Sequence, residues 1–291
     1  MLFTKTRIAP TPSGFIHLGN VMSFLITAAL ARQNGAKILL RIDDIDKERV
    51  KKKYVEDIFQ TLTFLGIPWD EGPRNYQEYK SKFSQIHRMG LYQKALDYLK
   101  NNNDLFACDC SRRKISRSST DGSYPGTCKK KQVSFENQDA CWRLNTVTDK
   151  EVKFKDISGR EVNATIPPLL NNFVVRRKDK LPAYQMTSVV DDIQDNIDLI
   201  VRGNDLRGST IAQVYLAEKL PKSHAKNMLF YHHSLMTDSK NRKMSKSDGA
   251  TSIQHLRKTG KRQADIYRMI GEFMQLDLPV NNFEEFQKVY L

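Results

Sequence analysis

Short apolar runs alternate with apolar residues at helical spacing through the first hundred positions of the chain. Around Arg7-Ile8-Ala9 a β-leaning stretch gives way to Pro10, Pro12 and Gly14, then to His17-Leu18-Gly19-Asn20. Val21, Phe24, Leu25, Ala28 and Ala29 follow three and four apart. This pattern predicts a strand, a tight loop and a helix entry. Lys37-Ile38-Leu39-Leu40-Arg41-Ile42 reads as a buried strand that ends in Asp43-Asp44-Ile45-Asp46. Val55, Ile58, Phe59, Leu62 and Leu65 make the apolar face of a second helix, stopped by Gly66 and Pro68; Leu91, Ala95, Leu96 and Leu99 make another. Strand and helix in alternation predict an α/β fold with a doubly wound parallel sheet, which binds ligands beyond the carboxyl ends of its strands.

From about Asn101 the pattern changes. Leu105 to Cys110 is a short strand-like piece, a Ser/Arg/Lys/Gly-rich segment runs to Lys131, and β-leaning pieces continue to about Thr165. The parallel pattern is expected to resume at Phe173-Val174-Val175-Arg176-Arg177 and to continue at Asp198-Leu199-Ile200-Val201-Arg202. Helical spacing returns at Ile211, Val214, Tyr215 and Ala217. Beyond Pro221 come a polar lysine loop and two expected helices, near Ser252–Lys258 and Gln263–Met274. The organisation read from this is a nucleotide-binding domain in two halves, 1–100 and 171–220, with 101–170 inserted between them. Residues 221–291 form a short, partly helical end.

Charge changes the picture more than hydropathy does. Lys and Arg number 47 against 33 Asp and Glu, a net charge of +14 spread along the chain, which suits a polyanionic partner. With 40% hydrophobic residues, no apolar run of membrane-span length and no secretory h-region, a cytoplasmic protein without membrane contact is expected. Four cysteines in such a chain argue against a disulfide framework. Cys108-x-Cys110 and Tyr124-x-x-x-Cys128 instead put three thiols in a short window, a donor set that suits zinc. The fourth ligand would be Tyr124, an aspartate such as Asp109 or Asp121, or water. Cys141, next to Trp142, reads as a core residue outside this cluster.

Two stretches carry candidate chemistry. A helix entry after His17 offers unpaired N–H groups and the positive end of the helix dipole to a phosphate or carboxylate. Gly14 and Gly19 allow a ligand close to the backbone, and His17 adds a side-chain donor. Far downstream, Lys243-Met244-Ser245-Lys246-Ser247 supplies two ammonium groups and two hydroxyls, the equipment needed beside a polyphosphate undergoing nucleotidyl transfer.

Together these stretches resemble the two signatures of class I aminoacyl-tRNA synthetases. His17-Leu18-Gly19-Asn20 resembles the "HIGH" motif, and Lys243–Ser247 matches the second motif letter for letter. Arg7 to Gly14, Arg41 to Asp46, Tyr184 followed by Val189-Val190-Asp191-Asp192, and Val201-Arg202-Gly203 resemble the catalytic core of glutamyl-tRNA synthetases in that order. The cysteine cluster resembles the zinc site of their truncated relatives, the glutamyl-queuosine tRNA(Asp) synthetases, which attach glutamate to the queuosine base of tRNA(Asp).

The resemblance implies a Rossmann-type core with a zinc-bearing insertion that also contacts RNA, and ligase activity. It implies ATP, L-glutamate and the anticodon arm of tRNA(Asp) as partners, Mg2+ accompanying ATP, and a monomer. Arg7 and Arg202 would hold the substrate carboxylate by bidentate forks, within a glutamate-binding set that also includes Ile8, Ala9 and Pro10. Asp43 would meet the α-ammonium, and Thr11 and Tyr184 would add hydroxyl contacts. His17, Gly19, Asn20 and Lys246 would hold ATP, with His17, Lys243 and Lys246 acting in catalysis. Tyr124 would complete the zinc site of Cys108, Cys110 and Cys128. Only 44 residues follow Ser247, fewer than the large helical anticodon-binding region of a full glutamyl-tRNA synthetase needs. Four positions depart from the family pattern. Asp43 stands where glutamate is common, so an amine contact must span one more methylene or the preferred amino acid differs. Asn20 replaces a histidine, Thr11 a serine and Ser188 an asparagine. The rival readings are a glutamyl-tRNA synthetase core charging the 3′ end of tRNA(Glu), and a non-catalytic RNA-binding paralogue.

Overall fold

The computed structural model describes residues 2–147, 149–221, 223, 227–236 and 252–290. In chain order its elements are β1 (Lys5–Ile8), α1 (Leu18–Asn34), β2 (Lys37–Leu40), α2 (Lys52–Leu65), the single turn α3 (Tyr76–Glu78), α4 (Met89–Asn101), β3 (Leu105–Cys108), α5 (Arg112–Ser118), β4 (Cys141–Leu144), β5 (Glu151–Asp156), β6 (Glu161–Thr165), β7 (Val174–Arg176), α6 (Tyr184–Gln194), β8 (Leu199–Gly203), α7 (Arg207–Glu218), β9 (Leu229–His233), α8 (Ile253–Lys258), α9 (Gln263–Met274) and α10 (Phe283–Tyr290). They fall into two units: Met1–His87 with Ile197–Asn204 and Tyr231–Leu291, and Arg88–Asn196 with Asp205–Phe230.

In the first unit, β1 runs parallel to β2 from Lys5↔Lys37 to Ile8↔Leu40, and parallel to β8 at Thr6↔Leu199. Parallel neighbours need a crossover, and α1 supplies it between β1 and β2. Eleven of its residues, from Leu18 to Ala31, are buried on several sides, as befits a helix in the middle of a core rather than on its surface. The stop expected for α2 occurs at Gly66, whose φ of 64° is the left-handed cap that glycine adopts without penalty. Two carboxylates pin the loops. Asp70 takes the Arg32 fork at 2.9 and 2.9 Å and the Ile38 N–H at 2.7 Å, tying the loop after α2 to both α1 and β2. Asp44 accepts from the Tyr79 hydroxyl at 2.6 Å, the Gln85 N–H at 2.8 Å and the Ser84 hydroxyl. These contacts hold the acidic segment after β2 against a π-helical turn at Tyr79–Phe83. From α9, Tyr267 and Gln263 donate to the Leu65 carbonyl at 2.7 and 3.1 Å.

In the second unit, β3, β4 and β7 form an antiparallel sheet running from Leu105↔Leu144 to Cys108↔Cys141, with a bulge between Trp142 and Arg143 where β7 joins. Here the structure corrects the sequence reading. Residues 173–177 do not resume the parallel sheet; β7 pairs antiparallel with β4. A short apolar run announces a buried strand but carries no information about its partner or direction. The pairing is reinforced by Arg176, whose guanidinium lies 4.3 Å from the Trp142 ring centre. β5 and β6 form a hairpin, and the first residues of β9 run parallel to β5 at Lys155↔Leu229. Asp191, fully buried on α6, accepts from Arg88 at 3.0 Å and Tyr92 at 2.9 Å, while Asp195 takes Arg88 at 2.9 Å. Burial works against the Arg88 charge, but the two carboxylates outweigh it and raise its pKa. Helix α10 was not expected from the sequence.

Candidate active site and cysteine cluster

The parallel alignment of β1 and β2 continues beyond their assigned ends. Arg41 N–H donates to the Ile8 carbonyl at 2.9 Å and Asp43 N–H to the Pro10 carbonyl at 3.0 Å, so segment 7–11 and Asp43 run side by side. The Thr6↔Leu199 register sets Arg202 level with Ala9, on the sheet face that strand alternation gives to Arg7. Both arginines are buried, at 7% and 4% exposure, on neighbouring strands. Ile8 faces the other way into the core, Pro10 is buried, Ala9 half-buried and Thr11 exposed. The Asp43 carboxylate is gripped by Arg41, with Nε at 2.7 Å from one oxygen and Nη2 at 3.4 Å from the other. A ligand ammonium meeting Asp43 therefore shares it with Arg41, a pairing the sequence reading missed although the two lie two positions apart, on the same side of an extended segment.

His17 is the N-cap of α1, and its pairing with Asn20 is reciprocal. The imidazole Nδ1 accepts from the Asn20 N–H at 3.4 Å and the Asn20 side chain accepts from the His17 N–H at 3.3 Å. The ring folds back over the helix start, and a Cβ at position 19 would stand 3.3 Å from two of its atoms. Gly19 therefore leaves room for the imidazole over the helix N-terminus, where the pairing with Asn20 holds it.

This corner is also where the chain returns after the lysine loop. Ser252 forms an antiparallel bridge with His17, Ile253 N–H donates to the Ile16 carbonyl at 2.8 Å, and Ile16 N–H donates to Asp57 at 2.8 Å. Burial raises the Asp57 pKa, against the Ile16 N–H and the Arg257 charge. Neither Ser252 nor Asp57 belongs to a recognisable motif that would mark it in the sequence. Lys243 and Lys246 lie outside the described residues.

Tyr184 belongs to the second unit, where it is the first residue of α6 and 42% exposed. The same unit holds the cysteines. The Sγ atoms of Cys108, Cys110 and Cys128 all lie within 4.8 Å of one another, Cys110 and Cys128 at 3.5 Å. A tetrahedral ion with bonds of about 2.3 Å needs sulfurs about 3.8 Å apart, so the three thiols fit such an ion without rearrangement of the chain. The Tyr124 hydroxyl is buried in the same group and accepts from the Cys128 N–H at 2.8 Å. Cys141 is a buried core residue outside the three close sulfurs, as expected, and packs against them. Hydrogen bonding from Cys141 lowers the Cys108 pKa, against burial and with help from Tyr124 and Arg143. Burial raises those of Cys110 and Tyr124.

Comparison with known proteins places this arrangement in context. Residues 4–286 match the family model described as tRNA synthetases class I (E and Q), catalytic domain. A glutamyl-Q tRNA(Asp) synthetase of Rhodopirellula baltica is 33% identical over 286 residues, covering 90% of this chain and 82% of that protein. One from Synechococcus sp. is 32% identical, covering 94% and 84%. A glutamate–tRNA ligase of Buchnera aphidicola is 30% identical, and the match spans 86% of this chain and about half, 52%, of the ligase. Among solved structures, the glutamate-tRNA synthetase of Elizabethkingia anophelis superposes with a TM-score of 0.79 at 20% identity, covering 99% of this chain and 65% of that one, a likeness of fold.

Proposed function

We infer the function from one premise: the chain belongs to the class I tRNA synthetases (E and Q), on the branch of the glutamyl-Q tRNA(Asp) synthetases, and is a ligase of that kind. Glutamate is the amino acid and a tRNA the acceptor; the acceptor we propose is the queuosine base of tRNA(Asp). The glutamate carboxylate attacks the α-phosphate of ATP, giving glutamyl-adenylate and pyrophosphate. A hydroxyl of the queuosine cyclopentenediol then attacks the activated carbonyl, loses its proton and expels AMP. No protein nucleophile is required, because alignment and electrostatics supply the rate.

In this reading Arg7 and Arg202 bind carboxylate, the backbone of Ile8 to Thr11 shapes the amino-acid pocket, and Asp43 with its Arg41 partner faces the ammonium. His17, Gly19 and Asn20 present the N-terminus of α1 to the phosphates, and Lys243 and Lys246 neutralise charge in the transition state alongside Mg2+ brought with ATP. The His17–Ser252 bridge supports this, since it ties the chain end of the lysine loop to the phosphate corner. Residues 101–170 we assign as an RNA-contacting insertion between catalytic segments 1–100 and 171–220. There Cys108, Cys110, Cys128 and Tyr124 would hold zinc as a structural crosslink. A cytoplasmic monomer is the state we propose; no described helix is long and apolar enough to cross a membrane.

The observation that carries the acceptor assignment is the identity of 32–33% with proteins named for that activity over 90% or more of this chain. The test supplies ATP and labelled glutamate with queuosine-containing or queuosine-lacking tRNA(Asp). Label is expected only on the queuosine-containing tRNA, in a product that survives prior periodate blocking of the 3′ diol when the queuosine diol is protected. Equal charging of both tRNAs, or charging of tRNA(Glu) instead, would overturn the assignment.

A further inference from the structure

Strand β4 crosses directly behind the cysteine cluster, and alternate residues of a strand share a face. Cys141 and Arg143 therefore point the same way, and each is the register partner of a residue on β3: Cys141 of Cys108, Arg143 of Phe106. Both pairs support a proposed metal ligand. The Tyr124 ring stacks on Phe106 at 6.0 Å between centres and carries the Arg143 guanidinium 3.9 Å from its own centre. Arg143 is fixed in turn by donating to the Asn172 carbonyl at 2.9 Å. At the other pair, the Cys141 thiol donates to the Cys108 carbonyl at 3.3 Å, at the point where the chain leaves β3 for the Cys-x-Cys turn. Cys141 is 5% exposed, yet it is not one of the three sulfurs that lie within 4.8 Å of each other.

We propose that Cys141 is a positioning residue of the metal centre: it stays off the ion and orients Cys108 as a ligand from the strand behind. The proposal rests on the zinc reading of Cys108, Cys110, Cys128 and Tyr124. It gives the buried thiol opposite Cys108 a task, since its S–H is spent on the Cys108 carbonyl. Partners that orient a ligand are worth roughly 10–100-fold in metal affinity.

The test measures zinc affinity by competition with a chromophoric chelator, and the cobalt(II)-substituted spectrum, for the full chain and for Cys141→Ala, Cys141→Ser and Cys108→Ser. Cys141→Ala is expected to keep one ion per chain and undiminished thiolate-to-cobalt absorption while binding zinc about 10–100-fold more weakly. Cys141→Ser, whose hydroxyl still donates, is expected to recover most of that affinity, whereas Cys108→Ser loses thiolate absorption. Zinc affinity unchanged in Cys141→Ala would overturn the role of Cys141 alone. Loss of thiolate absorption in either Cys141 variant would overturn it too, by making Cys141 a ligand. A wild-type chain that holds no zinc would overturn the metal centre itself, with this proposal. Should Cys141→Ala fail to fold, the serine variant's cobalt absorption decides between orienting residue and ligand.

Discussion

At Gly19 one missing methyl group decides where a reactive side chain lies. A Cβ there would crowd the His17 ring at 3.3 Å, so alanine should rotate the imidazole away from the start of α1. Alanine is the better helix former, but turning the ring away also breaks its cap on the Asn20 N–H, so the two effects oppose and Gly19→Ala is expected to change stability little. Glutamate-dependent pyrophosphate exchange should nevertheless fall about tenfold, roughly 1.4 kcal/mol of barrier. Comparison of melting temperature with exchange rate in one preparation checks this, and an unchanged rate would mean that the glycine does not protect the ring. The motif residues were legible because their chemistry is local: a histidine, a glycine and a helix start adjacent in sequence. The partnerships that fix them were not. Asp57 under Ile16 and Cys141 behind Cys108 depend on which strands and helices the fold brings together, 41 and 33 positions apart, whereas Arg41 on Asp43 is local and depends on the two side chains sharing a face.

At the level of elements, hydrophobic spacing located α1, β1, β2, α2, α4, β8, α8 and α9 but not β7's neighbours. Spacing reports burial, whereas direction is decided by partners, as Trp142 and Arg176 show. Helix α10 was missed although Phe283, Phe286, Val289 and Tyr290 recur at helical spacing, because the repeat is only two turns long. Asp70 shows how a loop carboxylate binds elements together. Burial alone would raise its pKa, but the Arg32 fork, the Ile38 N–H and the Arg32 and Arg74 charges together lower it below the usual 3.8. A depressed carboxylate stabilises fully above its unfolded value and loses that contribution as pH falls through the folded one. Urea unfolding should therefore find wild type more stable than Asp70→Asn at pH 6, with the gap closing below about pH 4. A gap independent of pH would mean that the Asp70 charge contributes nothing.

For the whole molecule, composition announced a polyanion partner but not where it sits. Exposed Arg112, Arg113, Lys114 and Arg117 on α5, and exposed Lys129 to Lys131, place much of the surplus charge around the cysteine cluster. If about six of these meet phosphates, tRNA affinity should fall about a thousandfold between 50 and 200 mM salt. Pyrophosphate exchange without tRNA should change far less over that range, because it needs no such contacts. Filter binding against salt, with exchange assayed in parallel, measures both; equal sensitivity would place the basic surface outside the RNA contact.

Helix α1, surrounded by apolar neighbours along most of its length, has a consequence for motion. Its amide protons can trade with solvent only when the packing around them is undone, so deuterium should enter its middle turns about as slowly as anywhere in the first unit. The end that carries His17 is thereby anchored to a slowly opening part of the first unit, so local fraying at that corner should stop at Leu18.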